Sequence, residues 1–216
     1  MNVLWSVFIT APVDLQISSV KINPEKELTY KIIQNQLRNI QENLPRATIT
    51  VHLYDLEKVQ SKERKKAWKN LFINNSLSLK TLKNISPIDE IKNILLTLTT
   101  RVTKVKNFDS VIFSSTKSPL LTFKHFQEII TANSNACVGS HDKEMLALVV
   151  RKKKYTDFSY DEYNQLIVSA PKLPAFSSNE KCVADILTYA ENNHCEQYEV
   201  LCRDLYDLIR NSRKSL

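Results

Sequence analysis

Glycine is almost absent from this chain: only Gly139 occurs among 216 residues, where average usage of about 7% would give roughly 15. Turns that need a positive φ must therefore use Asn, Asp or Ser. Phosphate-binding loops of the dinucleotide and P-loop types each need at least two glycines, which let the backbone turn tightly and approach the anion. Both loops are excluded, and we expect neither a nucleotide-hydrolysing nor a dinucleotide enzyme. A nucleotide site built from side chains alone stays open.

Short runs rich in β-branched and aromatic residues alternate with runs of helical periodicity along the chain. This alternation predicts an α/β fold with a mostly parallel or mixed sheet, flanking helices and two C-terminal helices. We expect Gly139 to serve the turn before a strand that is buried on both faces of the sheet. The predicted strands cover residues 3–9, 48–54, 109–113, 145–150 and a short edge at 166–168, and the predicted helices cover 25–44, 57–71, 86–106, 122–131, 179–191 and 195–210.

The length suits one domain with a helical extension. We therefore divide the chain into an α/β domain over residues 1–174 and a C-terminal helical segment over 175–216 that packs on it. Residues 177–216 hold five basic and seven acidic residues, although the whole chain has a net charge of +7. The first domain is thus strongly basic, which favours an acidic partner such as DNA or RNA.

Two sequence observations bear on the compartment. No hydrophobic run approaches the roughly 18 residues of a membrane span, and the apolar start of the chain has no basic residue before Lys21, unlike a signal peptide. These observations predict an intracellular protein with no membrane contact. Because its basic clusters resemble nuclear addresses, we expect it in the nucleus rather than the cytoplasm. We expect the four cysteines to be reduced, since they show no Cys-x-x-Cys spacing.

The sequence gives little support for a catalytic or a metal site. His52, His125 and His141 belong to no motif whose spacing has a mechanical reason, so we interpret them as surface or packing residues. Cys137 and His141 are four residues apart on an expected loop without a second pair of ligands close by. A second candidate metal set is Cys182, His194, Cys195 and Cys202, but Cys202 falls on an apolar helical stripe. We therefore predict no catalytic residue, no metal and no cofactor.

Two basic clusters with adjacent aromatic residues are the most suggestive feature. Clustered cations can neutralise phosphates, and aromatic rings can stack on bases. A solvated helix face and a charged strand end explain the same residues equally well. Because most of the cations are lysines, any binding should be salt-sensitive and weakly sequence-specific. The predicted nucleic-acid contacts are Lys62, Arg64, Lys65, Lys66, Trp68 and Lys69 in the first cluster, and Arg151, Lys152, Lys153 and Lys154 in the second.

Part of the chain resembles a known family in its element order. The strand 48–54 with its basic helix, the helix Ser86–Lys106, the passage Val111–Phe126 and the strand Leu146–Val150 look like the small kinase-binding subunit of the KEOPS tRNA-modification complex. The resemblance covers about half of the chain. It implies a non-catalytic α/β protein that contacts a kinase and helps to hold tRNA.

We therefore expect a non-enzymatic adaptor subunit of an intracellular, nucleic-acid-associated complex. Its basic face would lie near phosphates, and its C-terminal helices would bind a protein partner. The alternatives are a KEOPS-type accessory subunit, a protein–protein adaptor without nucleic acid, and a glycine-poor hydrolase or transferase that uses His125 or His141. The predicted partner contacts are Tyr198, Leu201, Leu205 and Leu208.

Overall fold

The computed structural model describes residues 1–9, 28–56, 61–82, 87–99, 107–118, 120–152, 155 and 157–175. The predicted C-terminal helices at 179–191 and 195–210 lie outside the described residues. So do two predicted phosphate contacts and all four predicted partner contacts, which are Lys153, Lys154, Tyr198, Leu201, Leu205 and Leu208. The division into a domain and a C-terminal segment stays a prediction.

Among the described residues, no helix combines the length and apolar character needed to cross a membrane.

Strands and helices alternate along most of the described chain. In chain order the elements are β1 Asn2–Phe8, α1 Leu28–Asn43, β2 Thr48–Leu56, α2 Lys62–Leu71, β3 Ser76–Leu82, α3 Pro87–Thr99, β4 Ser110–Ser115, α4 Phe123–Thr131, β5 Ala136–Ser140, β6 Met145–Arg151, α5 Tyr160–Ser169 and β7 Lys172–Leu173.

The strands form one mixed sheet in the order β3-β2-β1-β4-β6-β5-β7. Strands β3, β2, β1 and β4 are parallel to one another, whereas β6 runs antiparallel to both β4 and β5. β7 pairs with β5 in parallel. The predicted α/β fold with a mixed sheet is confirmed.

The sheet is covered on both faces. Alternate residues of β1 enter two different cores, since successive side chains of a strand point to opposite faces. Trp5 packs in the core beneath α1, α2 and α4, and Phe8 packs in the core beneath α3 and α5. Six of the seven residues of β1 are therefore buried, as a central strand of a three-layer fold requires.

Helix α1 confirms the apolar stripe read from the sequence. Its residues Ile32, Ile33, Leu37 and Ile40 are buried in the core beneath the helix. The predicted cap at Asn23 lies outside the described residues. On the neighbouring faces of the same helix, amide side chains are buried too, and they become important at the candidate site.

Several predicted elements are wrong. Residues 166–168 lie in helix α5 rather than in an edge strand, and strands β3, β5 and β7 were not predicted. Gly139 lies within β5, at a shift of register between Val138 and Gly139, and not in the turn. The turn after β5 instead places Lys143 at a φ of 60°. β3 and β7 are edge strands. β3 shows the alternation Ser-Leu-Ser-Leu that is typical of a half-buried strand, and its Leu77 and Leu79 pack against the core.

Candidate functional site

The strand order places a topological switch point between β1 and β4. The chain leaves β1 toward β2 and β3 on one side of the sheet, while β4 leads to β6, β5 and β7 on the other side. In open α/β sheets, ligands bind in the crevice at the carboxyl ends of the strands at such a point. The ends meet where Phe8 of β1 pairs with Ser115 of β4. This edge of the sheet is the candidate functional site.

A buried chain of hydrogen bonds fixes the end of β4 at this edge. The Trp5 indole Nε1 donates to Ser114 Oγ at 2.8 Å, and Ser114 Oγ donates to Gln36 Oε1 at 2.8 Å. Gln36 Nε2 then donates to the carbonyl of Ser115 at 2.9 Å. Since buried polar groups are costly when unpaired, this network holds α1 and β4 in one arrangement.

Described residues on both sides of the loop after β4 are also held by hydrogen bonds. The Thr116 backbone N–H donates to the Phe8 carbonyl at 3.1 Å, which extends the pairing of β4 with β1 by one residue. Farther along, Asn39 Nδ2 donates to the carbonyl of Leu121 at 3.2 Å. Helix α1 thus presents a row of amide side chains to the backbone at and after the end of β4.

A buried ion pair lies in the same loop. Lys117 is 5% exposed, and its Nζ lies 3.2 Å from Glu144 Oε1 in the hairpin between β5 and β6. Glu144 is held there through its backbone, because its N–H donates to Ser140 Oγ at 3.1 Å and its carbonyl accepts from the Ser140 N–H at 2.8 Å. The pair therefore places a lysine charge at the carboxyl end of β4.

The predicted nucleic-acid cluster on α2 divides into two sets. Arg64 and Trp68 are 3% and 2% exposed, because Arg64 Nε and Trp68 Nε1 both donate to Asp55 Oδ2, at 2.8 Å and 3.1 Å. Trp68 also stacks on Tyr30, with ring centroids 5.4 Å apart. The predicted role of Arg64 and Trp68 in contacting phosphates and bases is wrong, since a side chain buried in this way serves the core. Contacts of the exposed lysines with nucleic acid stay a prediction for Lys62, Lys65, Lys66 and Lys69.

In the second basic cluster, Arg151 contacts the end of a helix. The Arg151 guanidinium donates to the carbonyls of Ile129, Ile130 and Ala132 at the end of α4, where unpaired carbonyls attract a cation. This side chain therefore caps a helix, and its predicted contact with phosphate stays a prediction. Lys152 is exposed.

The histidines occupy three different settings. His125 Nδ1 accepts from the Thr122 N–H at 3.2 Å at the start of α4, and burial lowers the pKa of this imidazole. His141 lies exposed in the turn after β5. His52 is buried in β2, and burial together with the charge of Lys80 lowers its pKa to about 4. A catalytic role for His125 or His141 stays an alternative to the prediction of no catalytic residue.

Metal ligands do not converge in the described part of the chain, where no group of three or more His, Cys, Asp or Glu side chains could hold an ion. Cys137 lies buried in β5 and not on the expected loop. The other proposed set, Cys182, His194, Cys195 and Cys202, lies outside the described residues.

Comparison with solved structures identifies the fold. No family model and no curated protein matches the chain. A candidate nucleotide-diphospho-sugar transferase from Desulfovibrio desulfuricans G20 is similar over 99% of this chain and 96% of that chain, with 12% identity and a TM-score of 0.52. A cytidylyltransferase from Leptospira borgpetersenii matches over 99% and 94%, with 9% identity and a TM-score of 0.44. The second score is too low to carry an argument, and the first shows the fold alone.

This comparison corrects the family prediction. The resemblance to the KEOPS subunit is wrong, because nearly the full length matches a fold of the transferase kind instead. That resemblance rested on the order of a few elements, which many α/β proteins share, and it missed three of the seven strands. The expectation of a non-catalytic, nucleic-acid-binding adaptor is wrong with it, because the similarity over nearly the full length is to a candidate nucleotide-diphospho-sugar transferase.

Sequence reasoning missed the residues that build the candidate site. Gln36 and Asn39 look like ordinary polar positions of an amphipathic helix. Lys117 and Glu144 are 27 residues apart in sequence, and only the antiparallel placement of β6 beside β4 brings them together. One local signal was available: Ser114 to Ser118 is a small polar run directly after an apolar strand.

Proposed function

We propose that this chain is a transferase that uses a nucleotide-diphospho-sugar as donor. One observation carries the proposal: its fold is similar, over nearly the whole of both chains, to that of the candidate nucleotide-diphospho-sugar transferase. The donor would bind at the carboxyl ends of β1 and β4. This is the position that the topology of an open α/β sheet reserves for ligands.

The local structure suits such a donor. Networks from α1 hold the loop after β4 in one shape, as a site that orients two substrates requires. Lys117 supplies positive charge at that loop, and a nucleotide-diphospho-sugar carries its negative charge on two phosphates. The missing glycine motifs do not conflict with this reading, because the contacts would come from side chains and from an extended loop.

The reaction follows from the class of donor. The bond between the sugar anomeric carbon and the phosphate oxygen breaks, and a bond from the same carbon to an acceptor oxygen forms. The nucleoside diphosphate leaves with the bonding electrons, and the proton of the acceptor hydroxyl passes to a base. Positive charge beside the phosphates favours this departure, because negative charge grows on the leaving group in the transition state.

Donor binding is the direct test. We expect at least one member of a panel of UDP-, GDP-, ADP- and CDP-linked sugars to raise the melting temperature of the full chain in differential scanning fluorimetry. A donor present at 100 times its Kd adds about 2.7 kcal/mol to the unfolding free energy, which raises the melting temperature by roughly 5–10 °C in a chain of this size.

The matched negative control is the free sugar of each donor at the same concentration. The donor that stabilises the protein is then tested for turnover by the release of its free nucleotide in the presence of mono- and disaccharide acceptors. The proposal fails when no donor at millimolar concentration stabilises the protein beyond its free sugar.

A further inference from the structure

We propose that Lys117 binds the diphosphate of the donor, and that it does so by exchanging its ion pair with Glu144 for an ion pair with phosphate. This inference rests on the proposed function and names the group through which the donor is held. It assigns a binding role to a lysine in the loop after β4 and a gating role to a carboxylate in the hairpin between β5 and β6.

The burial of Lys117 is the first observation. An ammonium group that loses its water must gain a partner of opposite charge, or its burial costs several kcal/mol. Lys117 is 5% exposed, and its Nζ lies 3.2 Å from Glu144 Oε1. The side chain of Glu144 is more accessible, at 23% exposure. Water or a ligand can thus reach the carboxylate side of the pair more readily than the lysine stem.

The second observation is how Glu144 is held. Its two contacts with Ser140 use the backbone N–H and the backbone carbonyl of Glu144. Its carboxylate can therefore turn away from Lys117 while the hairpin keeps both of those hydrogen bonds. The adjacent strands stay joined as well, because Ser115 Oγ donates to the Met145 carbonyl at 3.1 Å. Exchange of the ion pair needs a side-chain rotation and no change of fold.

The third observation is position. Lys117 lies two residues after the end of β4, beside the switch point at which Phe8 pairs with Ser115. A diphosphate carries more negative charge than a single carboxylate, and lysine serves as a compact point charge for phosphate. The ammonium placed here would gain electrostatic energy when a diphosphate replaces Glu144.

Isothermal titration of the full chain with inorganic pyrophosphate and with UDP, GDP, ADP and CDP tests the exchange. We expect Lys117→Met to weaken binding at least 10-fold, because a hydrogen bond to a charged group contributes about 1.5–3 kcal/mol. Glu144→Gln should instead tighten binding about threefold or more, since the competing charge is removed while an amide still contacts the lysine.

Two further variants serve as controls for this result. Lys143→Asn removes an exposed positive charge from the same hairpin, and Asn tolerates the φ of 60° at this position. It should leave the affinity within about twofold of the wild type. The double variant Lys117→Met/Glu144→Gln leaves no buried charge unpaired, and it should still lack the affinity that Lys117 supplies.

The outcomes separate the inference from the proposed function. When the wild type binds a nucleotide and Lys117→Met binds it equally well, or when Lys143→Asn weakens binding as much as Lys117→Met, the inference is overturned and the function stands. When Glu144→Gln weakens binding, the exchange is overturned. When pyrophosphate binding depends on Lys117 but no nucleotide-sugar stabilises the protein, the anion site stands and the proposed function falls. When neither pyrophosphate nor any nucleotide binds, both fall.

Discussion

The buried ion pair between β2 and α2 gives the sharpest test of the packing. Asp55 and Arg64 are joined at 2.8 Å, with 3% of each side chain exposed, and Trp68 Nε1 shares the same carboxylate. Replacing one partner leaves the other charge buried without its counter-charge, which costs about 3–5 kcal/mol. Arg64→Met should therefore lower the free energy of unfolding by that amount, a large share of the 5–15 kcal/mol that is typical of a domain.

The double variant Asp55→Leu/Arg64→Met completes the cycle. It removes both charges. The remaining loss of unfolding free energy comes mainly from the indole N–H of Trp68, which has lost its acceptor and costs about 1–3 kcal/mol. The double variant should thus cost several kcal/mol less than the sum of the two single variants. Urea unfolding followed by tryptophan fluorescence measures all three free energies.

The neighbouring Lys65→Met is the matched control, because Lys65 is an exposed residue of the same helix. It should change the unfolding free energy by no more than about 0.5 kcal/mol. Equal costs for Arg64→Met and Lys65→Met would show that Arg64 is a surface residue, and the structural argument for removing it from the predicted nucleic-acid cluster would be refuted.

Three further predictions concern other positions. Gln36→Leu should cost about 2–4 kcal/mol, because it leaves the buried hydroxyl of Ser114 and the carbonyl of Ser115 without their partner; a loss below about 0.5 kcal/mol in urea unfolding would contradict the network. The pKa of His52 is lowered from 6.5 to about 4, so the stability that the neutral imidazole contributes is complete above pH 6.5 and is lost as the pH falls toward 4. Unfolding free energies measured across that range should fall more steeply for the wild type than for His52→Gln. Parallel curves for the two proteins would disprove this. Lys143→Gly should be at least about 1 kcal/mol more stable than Lys143→Val, since a β-branched residue fits a φ of 60° poorly; equal melting temperatures of the two variants would contradict the strain.

The strongly patterned elements were predictable from the sequence, and the reason is physical. Buried strands such as Met145–Arg151 show a continuous apolar run, and α1 shows a stripe at helical spacing. Of the missed strands, β7 has only two residues, and β5 has only five, with Gly139 among them, so each gives little signal. β3 does carry an alternating Ser-Leu-Ser-Leu run, and it could have been predicted. The run Leu-Ile-Val at 166–168 predicts a strand when it is read without the cap at Ser159, which accepts from the Glu162 N–H at the start of α5.

The candidate site was less predictable than the fold. The positive charge of α2 suggested a single functional face, but Arg64 and Trp68 bind Asp55 of β2 instead. No local pattern shows this, because the three residues join two elements through side chains. The same is true of Lys117 and Glu144, whose contact depends on the direction of β6. Pairings between distant strands set these contacts, and local periodicity does not encode them.

The scarcity of glycine restricts the kinds of ligand site open to this chain less than its sequence suggests. Glycine loops bind phosphate through backbone N–H groups that approach closely, so their loss removes one kind of site. A switch point in the strand order does not need them, since it arises from topology and not from any residue type. What the sequence must still provide there is a stiff loop and a source of positive charge. Amide side chains of α1 stiffen the loop after β4, and Lys117 carries the charge. A chain that relies on side chains for both tasks should lose donor binding through substitutions at Lys117 and Gln36, where a glycine-loop enzyme would depend on its backbone.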